Sequence, residues 1–301
     1  MKKTLTVLLI AAVLLFCLAA QADGITVTDM TGREIALEGP ATRIVALTAS
    51  DVEIVYAIGA GDLLVGRGEY CDYPAEALAV TSVQSGYETN IEQILSLDPD
   101  VVIMATMAQT TEQVQQLEDA GIRVIVSDAQ DIAGVYEAIA LIGQVTGHND
   151  EAAALCEQMK ATFAACTVAE PCGKTVYFKV SPLQWGLWTA GTGTFMDELA
   201  QMVGLTNAFD DVQGWAEVSE EQVIERDPDI IVTTSMSYGD DPSPVDEILG
   251  RAGWEGMKAV AGGMVCQADS DQVTRPGPRL MEAVQWLYQV VYGEQAEVPA
   301  A

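Results

Sequence analysis

Two distant stretches of the chain share one frame. The first reads Asn90-Ile-Glu-Gln-Ile-Leu-Ser-Leu-Asp-Pro-Asp-Val-Val-Ile103 and the second Ser219-Glu-Glu-Gln-Val-Ile-Glu-Arg-Asp-Pro-Asp-Ile-Ile-Val232. Each opens on a capping residue, has Glu two positions on and Gln at the third, then an apolar pair, Asp-Pro-Asp and a β-branched run. Asn90 with Gln93, and Ser219 with Gln222, predict a capping box at the start of a short helix. Pro99 and Pro228 stop those helices, and the apolar runs behind them predict buried parallel strands. A duplicated helix–proline–strand joint constrains the fold to two α/β lobes.

Between the copies lies a segment built to be a rod. Asn149 is expected to N-cap it, Asp150 and Glu151 complement the helix dipole, and Ala152, Leu155, Cys156, Met159, Phe163 and Cys166 recur on one face. Pro171 and Gly173 prevent continuation beyond about Thr167. About 19 residues at ~1.5 Å each give a helix of roughly 28 Å, enough to cross a domain. The expected division is a signal peptide at 1–22, a first α/β lobe at 23–148, a spacer helix at 149–168 and a second α/β lobe at 169–301.

The remaining elements alternate between strand and helix. Residues 25–37 predict a hairpin around Met30-Thr31-Gly32, and Ile44–Leu47, Leu64–Gly66, Val101–Met104 and Val124–Val126 predict strands. Helices are expected through Ile54–Ile58, Glu112–Ala120 and Ile132–Val145. In the second half, Thr175–Val180 and Val265 read as strands, Trp185–Thr194 as a Gly-rich turn, Phe195–Met202 as a helix, and Arg275-Pro-Gly-Pro-Arg279 as the lead into a last helix ending near Tyr292. Such alternation implies parallel sheets covered on both faces.

Lys2 and Lys3, an apolar run from Leu5 to about Leu18, and Ala20-Gln21-Ala22 form a secretory signal pattern, which places the working protein outside the cytoplasm, in the periplasm or at the cell surface. Cys17 permits a lipoprotein reading, but Phe16 stands where lipid-attachment patterns want a small residue, so that anchor is not favoured. The formal charge is −30, which becomes −32 when Lys2 and Lys3 are removed, and such a surface repels nucleic acid. Five cysteines follow the signal; an odd number cannot all pair within one chain, and Cys166–Cys172 is a conceivable bridge. The single histidine, His148, excludes sites built on several histidines and removes most Ser-His or Cys-His catalytic arrangements.

Gly191-Thr-Gly193 lacks the full dinucleotide spacing, and no P-loop is present. What remains is a set of aromatic and polar residues at strand ends, where open α/β sheets bind ligands. Those candidates are Thr48, Tyr70, Tyr87, Met107, Trp185, Trp188, Trp215, Asp271 and Arg275, with Trp185 and Tyr73 the ones expected in core or hinge. Trp and Tyr suit a bulky flat ligand such as a macrocycle or metal chelate, and Arg275 suits a carboxylate or phosphate.

The repeated frame, the Tyr70-x-Asp-Tyr-Pro74 loop, the Trp188-Thr-Ala-Gly turn and Arg275-Pro-Gly-Pro-Arg279 together resemble extracytoplasmic substrate-binding proteins of ABC importers, in the subgroup for iron-siderophores, haem and vitamin B12. The resemblance covers about residues 25–292. It implies an α/β fold of two Rossmann-like lobes with parallel sheets, joined by a single long rigid α-helix and holding the ligand between them. It also implies a monomer without catalytic residues, resident metal or cofactor, whose ligand is itself a metal chelate or corrinoid and whose partner is an ABC importer permease dimer. Tyr70, Trp188, Trp215, Asp271 and Arg275 match ligand-contact positions of the B12-binding member, while Gly86 stands where that member has tryptophan. Glu92 and Glu221 match the glutamates that dock onto permease arginines; complementing the helix dipole is their other reading. A haem ligand would need an axial residue, for which Tyr87, Tyr70, Met107 and Cys71 are candidates. A secreted enzyme or cofactor-maturation protein on the same frame is the alternative.

Overall fold

The computed structural model describes residues 24–86, 88–105, 111–236 and 242–293. The signal segment, Cys17, Tyr87 and Met107 lie outside the described residues. An antiparallel hairpin, β1 (Ile25–Thr28) and β2 (Glu34–Leu37), opens the fold. Its turn is held by the buried Asp29 carboxylate, which accepts the backbone N–H groups of Thr31 and Arg33, each at 3.0 Å.

The first lobe is a five-stranded parallel sheet of β3 (Ile44–Ala46), β4 (Leu64–Gly68), β5 (Ser82–Val83), β6 (Val101–Met104) and β7 (Arg123–Val126). The strand order is β5-β4-β3-β6-β7. The connecting helices are α1 (Ala49–Ala57), α2 (Ile91–Ser96), α3 (Thr111–Asp119) and α4 (Ile132–Thr146). The strands read as unbroken apolar runs because both faces are covered. Ile44, Ala46, Val101, Ile103 and Ile125 belong to one core, and Val45, Leu47, Val102, Met104 and Val124 to another on the opposite face.

The spacer α5 (Asn149–Cys166) buries Ala152, Leu155, Cys156, Met159, Phe163 and Cys166, the apolar stripe expected from the sequence. Its N-cap is His148 rather than Asn149. Gly147 adopts φ 77°, ending α4 in the left-handed conformation, so only Gly147 and His148 separate α4 from α5 and Asn149 already lies inside the second helix. The core touching α5 includes Ile44 and Val101 of the first sheet and Val176 and Val232 of the second, so both lobes are seated on the spacer by one continuous apolar cluster.

The second lobe carries β8 (Thr175–Lys179), β9 (Leu187–Ala190), α6 (Phe195–Met202), β10 (Thr206–Asn207), β11 (Trp215–Val218), α7 (Glu220–Arg226), β12 (Ile230–Thr233), α8 (Pro244–Leu249), α9 (Lys258–Ala261), β13 (Val265–Gln267), α10 (Ser270–Thr274) and α11 (Leu280–Tyr292). Its parallel sheet has the order β10-β8-β12-β13. The stretch expected to be a Gly-rich turn is instead the strand β9, paired antiparallel with β11. Leu187 and Thr189 point into the lobe while Trp188 points out, an alternation obscured by the glycines around it. Gly191 is required because a Cβ there would collide with the Val212 carbonyl where the ribbon's ends cross. Cys166 and Cys172 are both free thiols, so the conceivable bridge between them is absent.

The duplicated frame folds alike in both lobes. Asp98 and Asp227 take left-handed conformations at φ 49° and 43°. Asp100 Oδ2 accepts from the N–H and hydroxyl of Thr42, both at 2.8 Å. Asp229 Oδ2 does the same for Thr175 at 2.9 and 3.1 Å. Ser219 and Gln222 complete a reciprocal capping box, but the Asn90 copy is only half formed. There, the Gln93 side chain accepts from Gln84 N–H, because Asn90 N–H is already given to the Gln84 carbonyl.

Candidate functional site

In open parallel sheets the ligand crevice lies at the carboxyl ends of the strands where the order reverses. That reversal falls between β3 and β6 in the first lobe and between β8 and β12 in the second. Thr48 sits at the first of these points, between β3 and α1. Its hydroxyl donates to the Asp51 carboxylate. Asp51 is fully buried, and burial pushes its carboxyl up to about 6 although the Thr48 and Ser127 hydroxyls favour the ionised form. Its Oδ1 has no hydrogen-bond partner among the described residues. Nearby Cys71 is buried, which raises its thiol to about 12.

Beyond β4 the chain turns into the Glu69–Pro74 loop, pinned from beneath by buried Arg67, whose Nη1 donates to the Gly68 carbonyl at 3.1 Å. Tyr70 projects from this loop and is 72% exposed. The second lobe meets the loop through the Arg275-Pro-Gly-Pro-Arg279 strap. Arg275 Nη1 donates to Glu53 Oε1 and to Asp72 Oδ1, each at 3.0 Å, while Nη2 pairs with Asp271 at 2.9 Å and reaches the Tyr70 carbonyl at 3.5 Å. Arg279 approaches the same Glu53 oxygen at 3.5 Å and lies over the Tyr73 ring at 4.3 Å. Gly277 rests against Ser50 at the start of α1, where a Cβ would be 3.8 Å away. Tyr70, Asp271 and Arg275 are thus brought together, with the Arg275 guanidinium held by carboxylates of both lobes.

Trp188 and Trp215 share the outer face of the β9–β11 ribbon: Trp188 pairs with Glu217, and Trp215 with Ala190. Trp215 is half-buried and tilts against Phe195, with ring centroids 5.7 Å apart. The Trp188 indole N–H donates to the Trp185 carbonyl at 3.1 Å. Trp185 itself is 65% exposed and Tyr73 42% exposed, so of the core-or-hinge expectation the core half does not hold for either.

Sequence reasoning missed Glu53, Asp72 and a buried chain of charges in the second lobe. Lys179, at the end of β8, is buried and donates to the Ser181 carbonyl at 2.9 Å, with Glu247 at 3.1 Å. Burial pulls the Lys179 ammonium below its ordinary range, and Glu247 acts against that. Arg251 continues the chain, 3.3 Å from both Glu247 and Glu220. Two acids inside the otherwise apolar run Val52–Ala57 and its start were the available sign of Glu53 and Asp51.

Glu92 and Glu221 are exposed in the first turns of α2 and α7. No group of three or more metal-ligating side chains occurs among the described residues. A cavity of about 850 Å³, lined in part by Leu37, Pro40, Asp100 and Arg123, opens at the amino ends of β6 and β7, away from the strand ends that carry Thr48.

Two sheets on a helical spacer, meeting through loops at their carboxyl ends, define a two-lobed ligand-binding protein. The chain belongs to the periplasmic binding protein family, whose model matches residues 44–272. It is 34% identical over 276 residues to the uncharacterized ABC transporter substrate-binding lipoprotein YvrC of Bacillus subtilis, spanning 89% of this chain and 85% of that one. It is 29% identical over 264 residues to the vitamin B12-binding protein of Yersinia pestis, spanning 86% and 88% of the two chains. Among solved structures, a possible iron-binding periplasmic solute-binding protein from Staphylococcus epidermidis aligns with TM-score 0.73 at 27% identity, covering 84% of this chain and 99% of that one.

Proposed function

We propose that the chain is the extracytoplasmic substrate-binding protein of an ABC importer, with lobes at 23–148 and 169–301 around the 149–168 spacer. It captures a large metal chelate, either a corrinoid or an iron complex, and delivers it to a permease dimer without chemistry of its own. The observation that carries this reading is the meeting of Tyr70, Asp72, Asp271 and Arg275 from opposite lobes beside strand ends that also bear exposed Trp188. Thr48, Trp188 and Trp215 supply rigid walls in this reading, and Arg275 orients an anionic edge of the ligand. The relatives named for vitamin B12 and for iron support the ligand class. The signal segment is removed, and the protein works as a monomer, free or held at the membrane surface.

Titration of the purified protein with cyanocobalamin, haemin and a ferric hydroxamate siderophore, followed by tryptophan fluorescence and visible absorption, tests the reading. One of the three is expected to saturate at a single site, and binding of none of them overturns the ligand class. For the ligand that binds, Trp215→Ala is expected to weaken affinity about tenfold, as loss of a half-buried aromatic contact does. Glu92→Ala should leave that affinity unchanged and reduce uptake. Equal loss of affinity in the two variants contradicts the docking role.

A further inference from the structure

The duplicated frame contains a matched feature that neither folding nor ligand capture requires. In its apolar pair the first member is inward: Ile94 and Val223 are both 0% exposed. The second member is outward: Leu95 is 38% exposed and Ile224 40% exposed. A single exposed aliphatic residue is ordinary. Here the same exposure recurs at the same place in two copies whose surroundings have diverged, since Ile91, Ser96 and Leu97 of one frame stand against Glu220, Glu225 and Arg226 of the other.

On the exterior of α2 and α7 the shared residues are therefore glutamate, glutamine and an aliphatic side chain. The glutamines are used locally, Gln93 accepting from Gln84 N–H at 3.1 Å and Gln222 from Ser219 N–H at 2.9 Å. The aliphatic residue remains, with the glutamate beside it, which in Glu221 also accepts from its own N–H and the Ser219 hydroxyl while staying exposed. Glu92 and Leu95, like Glu221 and Ile224, are three residues apart on a helix and so share a face. Both helices lead into central strands of their sheets, β6 and β12, and Asp100 and Asp229 anchor the two joints in the same way. The two patches are thus built to one plan.

Resting on the importer reading, we propose that Leu95 and Ile224 are the apolar halves of two equivalent docking patches. The occupant is a two-fold symmetric membrane protein that presents, at each of two equivalent places, a cationic side chain beside an apolar recess. The charge of the patch selects a basic partner and repels acidic ones, but an exposed ion pair holds little and is screened by salt. Burial of the aliphatic side chain supplies the contact that persists at physiological ionic strength.

The test places a benzophenone amino acid at 92, 95, 221 and 224 of the full chain in its own host, with position 78 as an exposed apolar control outside the frame. Positions 95 and 224 are expected to crosslink to the same permease polypeptide as 92 and 221, and position 78 is not. With that permease in lipid nanodiscs, the double variant Leu95→Ser/Ile224→Ser is expected to bind about tenfold more weakly, equivalent to about 1.4 kcal/mol, with ligand affinity unchanged. Adducts from 92 and 221 without adducts from 95 and 224, or undiminished binding by the double variant where Glu92→Ala/Glu221→Ala is impaired, overturns the apolar patches and leaves the importer reading standing. Absence of permease adducts at all four positions removes both.

Discussion

Glu53→Ala is expected to lower the stability of the protein by about 3–5 kcal/mol, the range for removing one partner from a buried ion pair. Glu53 is 3% exposed, and one of its oxygens faces Arg275 at 3.0 Å and Arg279 at 3.5 Å. The arginine side chains are themselves only 15% and 10% exposed. Truncation leaves two guanidinium groups in a poorly solvated place, with Asp72, Asp269, Asp271 and Glu282, nearer the surface, as their remaining carboxylate partners among the described residues. The pair is under tension already, because burial raises the Glu53 carboxyl despite both arginines and leaves Oε2 without a hydrogen-bond partner among the described residues. Glu53→Gln keeps the shape and one acceptor, so its effect should be smaller, about 1–2 kcal/mol. Urea denaturation of both variants checks the magnitudes, and small-angle scattering checks the consequence: the alanine variant should show a larger radius of gyration as the strap releases α1. A Glu53→Ala protein as stable and as compact as the parent would mean that the strap is held by apolar contacts instead.

The strand and helix order of this chain was legible because its strands are buried on both faces and its helices are punctuated by proline, glycine and capping residues. Val101–Met104 and Ile230–Thr233 announce themselves as apolar runs behind Asp-Pro-Asp, and both lie centrally in their sheets. The β9–β11 ribbon escaped because its inward residues, Leu187, Thr189 and Val218, alternate with two tryptophans in a glycine-rich setting that mimics a turn. The site was legible only one residue at a time. Topology assigns Thr48 and Tyr70 to strand ends and loops, but nothing local to Arg275 reveals that its partners Glu53 and Asp72 lie 222 and 203 residues away. Lys179 was hidden for the same reason. A lysine closing a strand looks solvated until Glu247 and Arg251 are brought over it by α8 and the turn that follows.

Relative to the parent, Asp51→Asn is expected to gain about 2–3 kcal/mol of stability between pH 3.5 and neutral pH. The carboxyl of Asp51 is raised by burial from 3.8 to about 6, so between those values the native state holds a proton that the unfolded chain has released. Folding is therefore weakened by this group as pH rises through that interval, and the full penalty persists above it. Raising that carboxyl from 3.8 to about 6 corresponds to about 3 kcal/mol. The amide introduced by Asp51→Asn is neutral and of the same shape, and its oxygen can accept from the Thr48 and Ser127 hydroxyls that face Asp51. Asp29 and Asp100 act in the opposite sense, since hydrogen bonds hold their carboxyls below the ordinary range and so add stability as pH rises. They are common to both proteins and cancel in the difference. Unfolding free energies of parent and variant, measured from pH 3.5 to 8, should diverge between about pH 4 and 6 and then run parallel. A difference independent of pH would mean that Asp51 titrates alike in the folded and unfolded chain, its burial offset by the Thr48 and Ser127 hydroxyls, and would overturn the prediction.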